Sequence, residues 1–241
     1  MPEGVRKLTE YANLPREDLE RMLEAGIEVV DCHRVLAKTG DNIVGEALRG
    51  SDSFYEWNHY PDGDVYDNVS HSQYYYHAHP PDERPGEHGH FHTFLRPKGM
   101  PPAIKPAPIP DYEPPEDPDD NLSHLIAISM DEKGFPRGLF TVNRWVTGDV
   151  WYVADDVITM VDLFVMDQAS PSWAMNRWIT GMFRLFRPRI IDLLRERDQA
   201  IAAWEKAHPG ENAYEARELE VTSTLDIDID TQVARVRAAL E

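Results

Sequence analysis

Ser72-Gln73-Tyr74-Tyr75-Tyr76-His77-Ala78-His79, then PPDERPGEHG over 80–89, then His90-Phe91-His92-Thr93-Phe94-Leu95-Arg96: the reading of this stretch decides the fold. Both flanks are aromatic and short. The first stops at Pro80-Pro81 and the second lies between Gly89 and Pro97, as strands do when turn formers bound them. The polar segment between them predicts an antiparallel hairpin with a long loop. Side chains alternate along a strand, so His77 and His79 share a face, as do His90 and His92. His88 joins them if its strand begins that early. A hairpin pairing His79 with His90 and His77 with His92 would stack imidazoles in two rungs, with opposed Cβ atoms about 4.5–5.5 Å apart.

Seven of the ten histidines fall between positions 59 and 92. Crowded imidazoles repel one another when protonated, whereas a shared cation turns crowding into coordination. The candidate ligands are therefore His77, His79, His88, His90 and His92, with His124 opening the next strand as a further one. Tyr75 would share the face of His77. Glu56, Asp62, Asp64 and Glu87 are candidate acceptors for the outer imidazole N–H groups, which metal-bound histidines usually need. A three-histidine site with an open position suits zinc, iron or copper. The blander readings of the same histidines are a pH-responsive surface, a compositional bias or a purely structural metal.

Outward from the hairpin, 123–130 (SHLIAISM) and 138–146 (GLFTVNRWV) flank DEKGFPR and predict a second hairpin, closed by Asn143, Arg144 and Trp145. Nine prolines within 97–118 predict an extended surface arm between the hairpins. Upstream, Leu19, Met22, Leu23, Ile27, Val30 and Leu36 recur at helical spacing, with Gly26 as a possible interruption. Residues 43–48 suit one short further helix. Downstream, 155–166 and a long amphipathic stretch from Trp173 to about Ala207 read as helices, the latter split near Pro188. Ser170-Pro171 reads as its cap and first residue. Residues 219–225 suit a strand and 231–240 a closing helix. The fold class is α+β: an antiparallel sheet of about four or five strands, flanked by N-terminal and C-terminal helices, in one domain over 1–241.

Composition narrows the function. Forty-three acids against twenty-four bases give a formal charge of −19, which repels nucleic-acid phosphates and anionic lipid. The single Cys32 excludes an internal disulfide and thiolate-rich metal sites. No apolar run approaches a membrane span and no leader-like apolar stretch opens the chain, so a cytoplasmic protein is expected. No phosphate-cradling glycine loop, dinucleotide fingerprint or nucleophile elbow is present. Arg144 could clamp a substrate carboxylate or simply pair with an acid. Cys32 beside His33 reads as a buried thiol, because helix neighbours diverge.

The run from EWNHYPDGDVYD (56–67) through the hairpin to HLIAISMD (124–131) and LFTVNRWVTGDVW (139–151) resembles an uncharacterised family of histidine-rich bacterial proteins. That resemblance implies no activity and no site residues. A likeness of the His-x-His strands to carbonic anhydrases and cupins is analogy only, and the cupin glutamate is missing. The expected function is a metal-dependent enzyme with a mononuclear multi-histidine site. It would act on a small molecule, by hydration, hydrolysis or oxygen chemistry. The alternative is a protein that binds, stores or senses a transition metal.

Overall fold

In the computed structural model, which describes residues 8–110 and 112–241, six antiparallel strands form one sheet in chain order. They are β1 (Tyr60–Tyr66), β2 (Ser72–His77), β3 (Gly89–Leu95), β4 (Ser123–Met130), β5 (Pro136–Val142) and β6 (Val221–Asp226). The expectation about the N-terminal leader and one residue of the proline-rich arm, Asp111, lie partly or wholly outside the described range. The sheet has one or two more strands than expected. The extra one is β1, whose Pro61, Asp62 and Gly63 disguise it as a turn. An edge strand tolerates such residues, and β1 pairs irregularly, Tyr60 with Tyr76 and then Val65 with Tyr74.

Helices α1 (Arg16–Ala37) and α2 (Ile43–Leu48) precede the sheet. Between β5 and β6 the chain makes α3 (Arg144–Thr147), α4 (Ala154–Val161), α5 (Trp173–Leu185) and α6 (Arg187–Ala207), and α7 (Ile229–Leu240) closes it. α1 runs unbroken through Gly26, where a Cβ would meet Val233 Cγ2 at 2.7 Å and Leu185 Cδ1 at 3.1 Å. Glycine there lets α5 and α7 approach. The buried stripe follows Leu19, Met22, Ala25, Val29, Cys32 and Leu36, while Ile27 and Val30 of the expected stripe are exposed. α5 and α6 do part near Pro188, which sits in the first turn of α6. Two local expectations are corrected. Ser172, not Ser170, caps α5 by accepting the Met175 N–H at 3.2 Å. Asn143 does not continue β5: its side chain accepts the Arg144 N–H at 2.8 Å and starts α3.

The helices cover one face of the sheet. Tyr74, Tyr76, Phe91, Ile128 and Leu139 join the main core there, with Phe91 5.5 Å from the Trp178 ring of α5. The Tyr74 hydroxyl donates to Asn176 Oδ1 at 2.5 Å. The opposite face carries Tyr75, His77, His90, His92, Phe94 and Phe140, and is covered by loops and by Val146 of the one-turn helix α3, which packs on Phe140 and Val142. The proline-rich arm has little regular structure. It is nonetheless pinned by the Ala107 N–H donating to Trp151 C=O at 2.8 Å and by Ala107 and Ile109 packing beside Trp151.

A bulge in β4 sets the composition of the second face. His92 pairs with Ala127, but Phe94 pairs with His124, so Leu125 and Ile126 together oppose Thr93. Unbroken pairing would place Leu125 opposite Phe94 and turn His124 toward the helices. The extra residue reverses that alternation and delivers His124 to the histidine face. The Thr93 hydroxyl holds the bulge, donating to Ile126 C=O at 2.6 Å and accepting its N–H at 3.2 Å. Thr93→Val keeps the shape and orphans both buried groups. It is expected to lower unfolding free energy by about 1–3 kcal/mol in urea titrations.

Candidate metal centre

The β2–β3 register is displaced by two residues from the expected one. His77 pairs with His90, and Tyr75 pairs with His92. A shift of two preserves sidedness, so the imidazoles still share a face. β2 ends at His77, just ahead of the Pro80-Pro81 pair, which offers no N–H to the ladder. Gly89 opens β3 because a Cβ there would lie 2.5 Å from both His77 O and the Tyr76 hydroxyl.

The nitrogens meet closely. His77 Nε2 lies 2.8 Å from His90 Nε2, which lies 3.1 Å from His92 Nε2. His79, beyond the strand end, still faces inward, its ring centroid 5.1 Å from His77 and 5.3 Å from His90. One ring nitrogen from each of His77, His79 and His90 lies within 4.8 Å of the others, a set that could hold a metal ion. Nitrogens bound tetrahedrally at about 2.0–2.1 Å from a zinc ion sit about 3.3 Å apart, within that spread.

Two predicted ligands take other places. The His124 Nε2 is 2.9 Å from the outer nitrogen of His92, Nδ1, so His124 partners His92 rather than joining the convergence. His88 lies one residue before β3, where the alternation fails. Its ring stacks on Phe54 at 5.4 Å, and its Nδ1 is 2.7 Å from the Tyr76 hydroxyl. That removes it from the cluster.

The outer nitrogens have acceptors. Glu87 Oε1 lies 2.7 Å from His90 Nδ1, while its other oxygen accepts the Ser129 hydroxyl. Burial alone would raise the Glu87 carboxyl, but the hydrogen bonds from His90 and Ser129 and the nearby Arg84 charge outweigh it and hold the group below its usual range. Glu83 Oε2 lies 3.1 Å from His79 Nδ1. Asp64 serves His59 instead, at 3.0 Å, and the His59 ring lies flat on Tyr75 with centroids 3.6 Å apart. Among the described residues, Glu56 and Asp62 make no hydrogen bond to the cluster. Arg144 pairs with Glu215 and lies over the Tyr112 ring, which favours the ion-pair reading.

Sequence reasoning missed Glu83, Ser129, Arg84 and Trp57. Glu83 and Glu87 did carry a signal, since both lie within the loop that joins the two His-x-His elements. Trp57 packs on His79 with centroids 4.2 Å apart. Asp149 was missed as well: it accepts the His124 backbone N–H at 2.9 Å and the Thr147 hydroxyl at 2.6 Å. Burial pushes its carboxyl up to about 6.

Burial controls the charge of the face. His90 and His92 are each 1% exposed. Desolvation lowers His77 to about 2 and His124 to about 3, with neighbouring positive groups adding to it, and lowers His90 and His92 in the same direction. At His77, His90, His92 and His124 burial thus favours neutral imidazole, which is the form that binds metals.

The molecule is thus an α+β chain whose six-stranded meander carries a buried polyhistidine face. It belongs to the family described as a domain of unknown function, DUF6969, whose model matches residues 23–227. No curated protein and no solved structure matches the chain. Among the described residues, no helix is long and apolar enough to cross a membrane.

The depressed histidines link folding to pH. In the unfolded chain they titrate near 6.5, so below that pH the unfolded state binds more protons than the folded one. Stability of the metal-free protein is full above about 6.5 and is lost as pH falls toward the folded values. Each such histidine contributes a slope of up to ~1.4 kcal/mol per pH unit. Urea unfolding at pH 7.5, 6 and 5 is expected to trace that loss, with a shallower slope in a His77→Gln, His124→Gln double variant.

Proposed function

We propose that the histidine face is a mononuclear transition-metal centre and that the protein is a cytoplasmic metalloenzyme acting on a small molecule. One observation carries this reading. Glu87 is an ionised acceptor, so His90 presents N–H at Nδ1 and a bare lone pair at Nε2. Two further imidazole nitrogens, His77 Nε2 and His92 Nε2, face that one lone pair at 2.8 and 3.1 Å. Hydrogen bonding alone leaves either two donors on one lone pair or two lone pairs opposed. A shared cation engages all of them.

His77, His79 and His90 would hold the ion, with His92 beside them, and zinc, iron or copper fits an imidazole set. Such an ion supplies Lewis acidity or, as iron or copper, redox chemistry toward dioxygen. The residues do the rest. Glu87 fixes the His90 tautomer and raises its basicity, and the His92–His124 contact can do the same for His92. Burial of His90 and His92 favours a resident cofactor over a cargo handed to another protein. Phe140, 5.1 Å from His90, and Trp57 on His79 supply apolar walls that limit water.

Protein purified without an affinity tag is expected to contain a stoichiometric transition metal by elemental analysis. His90→Ala and His77→Ala should each lose it, and Glu87→Gln should weaken binding about 10–100-fold. Unchanged metal content in both alanine variants rejects the centre.

A further inference from the structure

The loop that supplies Glu87 also brings a cation, Arg84, to the same place. Its guanidinium lies 5.0 Å from the Phe140 ring centroid, and that ring packs 5.1 Å from His90 and 6.3 Å from His92. Arg84 Nε is 4.0 Å from Glu87 Oε1, the oxygen that faces His90. The Arg84 charge is felt at His77, His90 and His92, whose protonation it opposes.

We propose that Arg84 makes this centre a receptor for a carboxylate, so that its substrate class is a small carboxylate-bearing molecule held between the guanidinium and the ion. The inference rests on the metal reading above. Arg84 is paired with Glu220 at its Nη2 alone and only loosely with Glu87. Glu87 is already engaged by His90 and Ser129, and 4.0 Å is too long for a hydrogen bond. Among the described residues Arg84 makes one side-chain hydrogen bond, from Nη2 to Glu220 Oε1 at 2.5 Å, although its side chain is only 19% exposed. None of its nitrogens is a buried orphan, so the rest of a planar donor fork shaped for carboxylates faces solvent, where a ligand can replace water.

Charge points the same way. A divalent ion and Arg84 are both positive, and the one buried carboxylate in contact with them is Glu87. Glu220 and Glu83 are 43% and 49% exposed, so solvent screens much of their charge. With an ion bound, the inner set would keep a positive excess that an anion offsets. Phosphate would satisfy the charge, but a planar carboxylate also matches the fork and fits against the flat Phe140 and Trp57 rings.

The test uses the whole protein loaded with Co(II), whose visible d–d bands report its coordination, titrated with acetate as the probe. Saturable changes in those bands are expected. Arg84→Gln should weaken acetate binding at least tenfold while Co(II) binding stays as tight or tightens. Arg84→Lys, which keeps charge without the fork, should fall between. Glu220→Gln frees the guanidinium and should tighten acetate binding. Normal cobalt bands with equal acetate affinity in wild type and Arg84→Gln overturn the carboxylate assignment and leave the metal centre standing. Absence of cobalt bands in the wild type overturns the metal centre and this inference together.

Discussion

Imidazoles withdrawn from water must be neutral, and each of their nitrogens must then find a partner. On this sheet face that constraint falls on His77, His90, His92 and His124 together, within a few ångströms. The Glu87–His90 hydrogen bond is where it is resolved. Glu87 is itself immobilised by the Ser129 hydroxyl from β4, so the loop between β2 and β3 is tied to the strand beside its hairpin. Once His90 donates outward to Glu87, its inner nitrogen can only accept. The contacts to His77 and His92 take their character from that one assignment.

The rest of the fold serves this arrangement by dividing labour between the two faces of the sheet. Helices α1 and α4–α7 seal the apolar face, where Tyr74, Tyr76, Phe91 and Trp178 interlock. Apart from Val146 of α3, the second face is covered by loops, which can carry charged groups such as Glu83, Arg84 and Glu87 up to a buried surface. A helix laid across that face would have brought a fixed apolar stripe instead. The β4 bulge then adds His124 to a face that strict alternation would deny it. The second face is therefore polar because of three local features: the loop acids, the bulge and His59, which just precedes β1 and stacks on Tyr75 of β2.

Legibility in the sequence follows from which interactions are local. The two His-x-His elements have a period of two and turn formers on both sides, so the hairpin and the shared face were readable. The register was not, because a slide of two residues keeps the same side chains on the same side. Only the fit of Gly89 against His77 and Tyr76 distinguishes the alternatives, and that fit is a tertiary contact. β1 escaped notice because its Pro61, Asp62 and Gly63 are turn residues tolerated at an edge. The bulge leaves no mark in SHLIAISM, so the inward turn of His124 could be guessed but not its place behind His92. Helix caps such as Ser172 and Asn143 sit within a residue or two of equally plausible ones, and packing chooses between them.

The electrostatics of the whole chain and of the site point in opposite directions, and distance reconciles them. A chain with a formal charge of −19 draws cations toward its surface and repels anions at long range. At physiological ionic strength that field decays over about 8 Å, so an anion that reaches the surface responds mainly to the charges beside it. At the histidine face those charges are Arg84 and the buried Glu87, with Glu220 and Glu83 nearer solvent. Neutral imidazoles add no repulsion toward a metal cation, while Arg84 keeps a fixed positive charge near it. The acidic exterior thus draws cations toward the surface, while close to the histidine face the fixed charge of Arg84 favours an anion.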